Sequence, residues 1–420
     1  MNQKIVYPNG LRVVVDTNSS VRSVAAGIWV GAGSVKESAR ENGISHFTEH
    51  VMFKGTDKYS AFDIANAFEG YGANVNAFTG KEATCYYVKS VDEYAERSFQ
   101  MLSHIFLYSV YDPDELDKER KVIVEEINME EDSPEDICYD LLAATMYPNS
   151  SLGHTILGPI ENVNRFTRED VLAYREKFYN ADNIVVSFSG NITPEEADRL
   201  VRRYFIDDLS DRKSTEAILA PIAVTSKFSK RIKDFEQTNV GISYPSVPFG
   251  DPRYAAQSIF GILFGGGMSS RLFQRIREQM GLAYSVYASP LLYTNNGNFD
   301  ILLNITAANT KRAVEAVKKE IDEVLAKGIT EEEFLRAKIQ MKSSLVFSQE
   351  SVQSRMTAQG KFMLLADKLY SVDQRIADAD AVTKEEVERF LRALFVPNGV
   401  CAAYVGKPND TDIMEILRRV

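Results

Sequence analysis

FTREDVLAYREKFYNADNIVVSFSG, residues 166–190, and VTKEEVERFLRALFVPNGVCAAYVG, residues 382–406, align without a gap at a shift of 216 positions. Thr167 falls on Thr383, Glu169 on Glu385, Val171 on Val387, Tyr174 on Phe390 and Gly190 on Gly406. Each copy reads as a capped helix, a turn and an apolar strand that ends in glycine. A fainter echo relates SVAAGIWV, residues 23–30, to TNVGISYP, residues 238–245. A repeat of this length implies a tandem duplication, so two similar domains are expected rather than one large core.

Working outward, DDLSDRKSTEAILAPIAVTSK, residues 207–227, has no sustained helical or strand period and reads as a linker. Domains of 1–210 and 225–420 follow. Within each, strands alternate with amphipathic helices, and runs such as EATCYYVKSV suggest sheet edges or faces covered on one side by helices. The expected class is α+β, with helices on a mainly antiparallel sheet in each half.

The bulk properties exclude more than they assign. A formal charge of −11 with no Lys/Arg cluster argues against nucleic acid, whose phosphates require a basic stripe. Hydrophobic residues make up 45% of the chain and charged ones 25%, the balance of a soluble globular protein. No apolar run approaches the roughly 18 residues of a membrane span. The opening MNQKIVYPNGLRVVV lacks the pattern of a signal peptide. Cys85, Cys138 and Cys401 are odd in number and scattered, which indicates neither a disulfide framework nor a cysteine metal cage. A cytoplasmic enzyme is the expectation, with no nucleic-acid or membrane partner.

Two of the chain's four histidines lie in GISHFTEHVMFKGT, residues 43–56. On a helical wheel His46, Glu49 and His50 share one sector, and Ile44, Phe47 and Val51 occupy the other side. Histidines at i and i+4 can offer two imidazole nitrogens to one zinc ion, and the glutamate between them is placed to take a proton from a water activated by the metal. The plainer alternative is two partly buried histidines beside a helix glutamate, and a third ligand decides between them.

The helix DELDKERKVIVEEINME, residues 114–130, supplies a candidate. Its apolar stripe holds Leu116, Val122, Ile123 and Ile127, with Glu119 and Glu126 in the middle of the stripe and Glu125 toward the polar flank. Carboxylates directed at a core are costly unless a cation or donor meets them, although glutamates at a helix edge can also reach water. Taken together, the two anomalies account for each other. Glu126 becomes the third zinc ligand, and Glu119 a carboxylate behind the ligands that orients a histidine or the base.

The segments GSVKESARENGISHFTEHVMFKGT, YGANVNAFTGKEATCYYVKSV, ERKVIVEEINMEEDSPED and REQMGLAYSVYAS resemble the pitrilysin-type inverzincin peptidases, which include mitochondrial processing peptidase and insulysin. The resemblance covers essentially the whole chain. It implies a zinc endopeptidase of two similar domains, the first catalytic, with His46, His50 and Glu126 as ligands and Glu49 as the base. Thr48 departs from the leucine common in relatives, on the side away from the metal sector.

The same resemblance implies that VNAFTG, residues 75–80, is an exposed edge on which an extended peptide pairs, making Asn76, Ala77 and Phe78 binding candidates. Arg277 and Tyr284 match an arginine and a tyrosine that hold substrate and the reacting carbonyl, chemistry suited to a developing oxyanion. FGGGMSSRLF, residues 264–273, lacks the lysine of a phosphate loop and reads as a glycine hinge, where relatives border the substrate entrance. Shifted by 214 to 216 positions, the His46–His50 region meets Phe260–Gly266, which has no histidine, so the second half cannot bind zinc in the same way. Relatives of the processing-peptidase type join two such chains into a chamber, which implies a homodimer acting on peptides or unfolded proteins.

Overall fold

A computed structural model describes residues 2–215 and 226–419. Part of the linker expected at 207–227 therefore lies outside the described residues. The strands are β1 (Asn2–Val6), β2 (Arg12–Thr17), β3 (Ser23–Val30), β4 (Asn74–Thr79), β5 (Thr84–Val91), β6 (Ile184–Gly190), β7 (Phe228–Ile232), β8 (Thr238–Ser246), β9 (Ala283–Leu292), β10 (Gly297–Ile305) and β11 (Cys401–Gly406). The first helices are α1 (Ile44–Val51), α2 (Ala61–Gly70), α3 (Ala95–Tyr108), α4 (Pro113–Glu131), α5 (Pro134–Met146), α6 (Ile160–Arg165), α7 (Arg168–Phe178) and α8 (Pro194–Tyr204). The later ones are α9 (Tyr254–Gly265), α10 (Thr310–Lys327), α11 (Glu331–Phe347), α12 (Val352–Ala366), α13 (Val372–Ala381), α14 (Lys384–Leu394) and α15 (Ile413–Arg418).

One sheet has the order β1-β2-β6-β3-β5-β4 and the other β7-β11-β8-β10-β9. In the first only β2 and β6 run parallel, in the second only β7 and β11, and every other neighbouring pair is antiparallel. Dropping β1 leaves the two orders equivalent strand for strand, with the parallel pair in the same place. The fold is thus α+β in two copies, as the repeat predicts.

The repeated residues do the same work in each copy. Thr167 caps α7 by accepting from the Asp170 N–H at 3.2 Å, and Thr383 caps α14 by accepting from the Glu386 N–H at 3.3 Å. Gly190 ends β6 at φ 122° and Gly406 ends β11 at φ 153°, a left-handed backbone that disfavours a side chain. A Cβ on Gly190 would meet the Ser23 carbonyl at 2.1 Å, and one on Gly406 the Thr238 hydroxyl at 2.3 Å, the opening residues of the equivalent strands β3 and β8.

Residues 2–127, 154–215 and 347–370 form one compact unit, and 128–153, 226–346 and 371–419 the other. Compact units and the linear halves 1–210 and 225–420 are different partitions, because each unit includes a helix from the opposite half. In the first, α12 covers β2, β6 and β3, where Met356 and Met363 join Val14, Trp29 and Val185. Arg355 of α12 pairs with buried Asp16 through two contacts of 2.6 and 2.7 Å. Removing one member of such a buried pair leaves an uncompensated charge, at about 3–5 kcal/mol. In the second unit, α5 covers β11 and β8, with Ile137, Cys138 and Leu142 against Ala403 and Val405.

The remaining sheet faces carry the main cores, under helices that include α3 in the first unit and α9 and α14 in the second. EATCYYVKSV forms β5, which is paired on both sides rather than lying at an edge. Gly265, in the expected glycine hinge, sits where a Cβ would fall 2.3 Å from the Ala288 nitrogen, so close packing accounts for that glycine. Among the described residues, no helix is long and apolar enough to cross a membrane.

Candidate metal centre

Helix α1 forms without a side-chain cap on its own first residue. Gly43 precedes it at φ 100°, and the capping function is supplied by Glu37 instead. One Glu37 oxygen accepts from the Gly43 N–H at 2.8 Å and the Asn42 amide at 3.0 Å. The other accepts from the Ser45 N–H at 2.8 Å and the Ser45 hydroxyl at 2.5 Å. A buried carboxylate thus faces the positive end of the helix and meets its free N–H groups. Burial raises the Glu37 carboxyl above its usual range despite these four bonds. Ile44, Phe47 and Val51 lie in the core, as the wheel predicts. Thr48 is also fully buried, and its hydroxyl has no hydrogen-bond partner among the described residues.

The opposite face brings His46 and His50 together, with ring centroids 4.5 Å apart. Glu126 of α4 reaches both, its Oε2 lying 3.6 Å from His46 Nε2 and 3.4 Å from His50 Nε2. His46, His50 and Glu126 are a group able to hold one metal ion, each offering an atom within 4.8 Å of the others. Bonds of about 2.0–2.2 Å in tetrahedral geometry put ligand atoms roughly 3.3–3.6 Å apart, so the two measured distances fit a zinc ion.

The electrostatics fit a metal site as well. Burial, with the neighbouring His50, pulls His46 down to about 3, which keeps its imidazole neutral and available as a ligand. Burial also disfavours the charged form of His50, but the hydrogen bond to Glu119 and the charges of Glu126, Glu49 and Glu119 outweigh it and raise its pKa. Burial raises Glu49 as well, against the pull of a Thr79 hydrogen bond and the His50 charge.

Glu119 is buried, and its Oε2 lies 3.2 Å from His50 Nδ1. That contact leaves His50 Nε2 directed toward Glu126. Lys54, three residues beyond α1, meets the other Glu119 oxygen at 2.5 Å. Burial opposes ionisation of Glu119, yet the bonds from His50 and Lys54 hold it below the usual carboxylate range. Glu119→Gln is expected to weaken metal affinity or activity by roughly 10–100-fold while the site persists. Unchanged metal retention and turnover would reduce Glu119 to a helix residue without a role at the site.

Two features of α4 differ from the sequence expectation. Val122, placed in the apolar stripe, is 51% exposed, because it lies about 100° behind Ile123 on the helix. The Glu126 side chain is 42% exposed, so Glu119 alone of the two carboxylates is directed into the core.

Asn76, Ala77 and Phe78 lie on β4, the terminal strand of its sheet, with β5 as its sole neighbour. Asn76 Oδ1 accepts from the Ala77 N–H at 2.8 Å, and the Phe78 ring stands edge-on to Trp29 at 5.5 Å. Arg277 and Tyr284 belong to the second unit. The Arg277 guanidinium, on a π-helical turn Phe273–Gln279, lies 4.8 Å from the Phe273 ring and 5.9 Å from that of Tyr284, which is 75% exposed. Glu37 and Lys54 escaped sequence reasoning. Glu37 stands in no helical register with the motif it serves, and Lys54 keeps the four-residue spacing from His50 but lies beyond the end of α1.

Comparison with known proteins agrees with the duplicated fold. Residues 12–160 match the model described as insulinase (peptidase family M16), and residues 165–341 that of the peptidase M16 inactive domain. The chain is 39% identical to the uncharacterized zinc protease YmxG of Bacillus subtilis (strain 168), over 94% of this chain and 96% of that protein. It is 34% identical to the uncharacterized zinc protease SCO5738 of Streptomyces coelicolor, over 93% and 86%. Among solved structures, a peptidase M16 inactive domain from Pseudomonas fluorescens matches with a TM-score of 0.90 at 19% identity, over 97% of this chain and 98% of that one. A protease from Helicobacter pylori matches with a TM-score of 0.89 at 19% identity, over 97% and 99%. At these identities the structures speak for the fold alone. The chain belongs to peptidase family M16, the family its sequence resembles.

Proposed function

We propose that this member of family M16 is a zinc-dependent endopeptidase that hydrolyses extended or unfolded peptides. The observation that carries the reading is the convergence of His46, His50 and Glu126, with Glu49 on the same helix and Glu119 behind His50. In this reading the two imidazoles and the Glu126 carboxylate hold the ion. A zinc ion held there would supply Lewis acidity, which makes water a competent nucleophile near neutral pH. Glu49 accepts the proton and returns it to the leaving amine. The free edge of β4 pairs with the peptide backbone at Asn76, Ala77 and Phe78. Arg277 and Tyr284 provide a cation and a phenol donor for the negative charge that develops on the carbonyl oxygen.

A second reading is a non-catalytic partner subunit of the same fold. The name of the family model over residues 165–341 favours it for that segment, which contains no histidine. The ligand and base candidates, however, all fall within residues 12–160. Digestion of an extended peptide with and without a chelator, its products mapped by mass spectrometry, separates the two readings. Cleavage that stops on chelation and returns with zinc supports the endopeptidase, and no cleavage by the zinc-loaded chain favours the partner subunit.

The reading extends to location and assembly. A cytoplasmic setting suits Cys85, Cys138 and Cys401, which are buried and in no disulfide among the described residues. The half 225–420 serves as the non-metal domain that helps to enclose the peptide, and two copies form a homodimer in which Arg277 and Tyr284 act at the other copy's active centre. Mixing Glu49→Gln chains with Tyr284→Phe chains tests this arrangement. One site in each mixed dimer has both groups, so activity should rise above either parent. No rise, with subunit exchange verified and both parents impaired, rejects the shared site.

A further inference from the structure

Glu49 lies on the histidine helix, but the group that fixes its carboxylate belongs to a different element. Thr79, the last residue of β4, donates its hydroxyl to Glu49 Oε2 at 2.5 Å. Among the described residues, no ion pair and no other hydrogen bond reaches the carboxylate of Glu49. One oxygen is therefore held and the other, Oε1, is free.

The donor is itself held firmly. By the two-residue alternation of a strand, Thr79 shares a side of β4 with Val75 and Ala77, which pack against the core, while Asn74, Asn76 and Phe78 take the other side. Thr79 pairs with fully buried Thr84, whose hydroxyl donates to the Ala32 carbonyl at 2.9 Å. The turn that follows closes with Gly80 N–H to the Ala83 carbonyl at 2.8 Å. Its outer side is clamped by Ser34 N–H to the Gly80 carbonyl at 3.3 Å and Val35 N–H to the Lys81 carbonyl at 2.8 Å. Gly33 approaches so closely that a Cβ there would lie 2.2 Å from the Gly80 oxygen. A hydroxyl fixed in this way is in place before any reaction begins, which is the condition for a positioning group to be effective.

We propose that Thr79 is a positioning residue that pins one oxygen of Glu49, leaves Oε1 to accept the proton, and ties the orientation of the base to the strand on which the peptide docks. The inference rests on the reading of Glu49 as the base. It also gives the free edge of β4 a second role, because a peptide paired along that strand lies on the same element that aims the carboxylate.

Thr79→Val keeps the shape and removes the hydroxyl, whereas Thr79→Ser keeps the hydroxyl. On an extended quenched peptide, the zinc-loaded valine variant should lose about 10–100-fold in kcat, with KM within about twofold and zinc content unchanged. The serine variant should retain most of kcat. Independently of turnover, denaturant midpoints of the metal-free chain should shift non-additively for Thr79→Val and Glu49→Ala, since each substitution removes the contact between the two groups. Wild-type kcat in Thr79→Val, equal losses in the serine and valine variants, or additive midpoints would each overturn the proposal. If Thr79→Val does not fold, Thr79→Ala takes its place in both comparisons. Full turnover in Glu49→Gln would remove the base reading, while the metal-free cycle would still judge the link between Thr79 and Glu49.

Discussion

Glu49→Gln is expected to keep the metal content of the wild-type chain and to lose turnover by about 10²–10⁴-fold, the range typical of a general base. The substitution preserves volume, and glutamine can still accept the Thr79 hydroxyl bond now received by Oε2. His46, His50 and Glu126, the group able to hold a metal ion, are untouched. What disappears is a carboxylate able to gain and return a proton. Burial raises the Glu49 carboxyl above its usual range, although Thr79 and His50 pull the other way. Metal analysis beside single-turnover kinetics decides the matter. Loss of zinc comparable to that of a ligand variant would make Glu49 a ligand, and undiminished turnover would place the base elsewhere.

The parts of this centre that the sequence exposes are those with a local period. His46 and His50 are visible because four residues on a helix make one face, and Glu119 and Glu126 because carboxylates interrupt an apolar stripe. The duplication is visible because a capping threonine and a strand-ending glycine recur at one fixed shift, and the structure sets each glycine against the opening residue of the equivalent strand, Ser23 or Thr238. Glu37 and Thr79 have no such period, and Lys54, although four residues after His50, lies beyond the end of α1. Each reaches the site through the folding of a loop or strand against α1, and a linear pattern contains no trace of that approach. The exchange of helices is hidden for a related reason. The apolar stripes of α5 and α12 do not name the sheet each covers, and the close approaches at Gly241 and Gly27, where a Cβ would meet Leu142 Cδ2 at 2.9 Å and Met356 Sδ at 2.5 Å, are made only in the folded chain.

In the second copy, helix α9 carries phenylalanines rather than histidines at an i, i+4 pair. A shift of 214 carries His46 to Phe260 and His50 to Phe264. Both phenylalanines are fully buried, their rings stacked at 5.1 Å within a cluster that includes Phe299 and Phe395. The i, i+4 pair that gathers imidazoles in one unit thus fills a hydrophobic core in the other. Restoring histidine at 260 and 264 would not recreate a site, because two imidazoles would be desolvated among aromatic rings.

Glu126→Gln should have the opposite signature to Glu49→Gln, with the metal lost and the fold kept. Among the described residues the Glu126 carboxylate is the one that approaches the Nε2 atoms of both His46 and His50, at 3.6 and 3.4 Å, and an amide of the same shape brings neither its charge nor its ligand strength. Two imidazoles alone fall short of the three protein ligands of a catalytic zinc site. The loss of affinity should therefore exceed the roughly 10–100-fold expected at Glu119. Because the Glu126 side chain is 42% exposed, its replacement opens no cavity, and the metal-free variant should melt with metal-free wild type. Zinc binding only the native state would stabilise the wild-type chain by about 2.7 kcal/mol at a hundredfold excess over Kd. Thermal melts with and without zinc should thus separate for the wild-type and Glu49→Gln chains and coincide for Glu126→Gln. A zinc-dependent rise in Tm of wild-type size in Glu126→Gln would remove Glu126 from the ligand set and leave the third position to another donor.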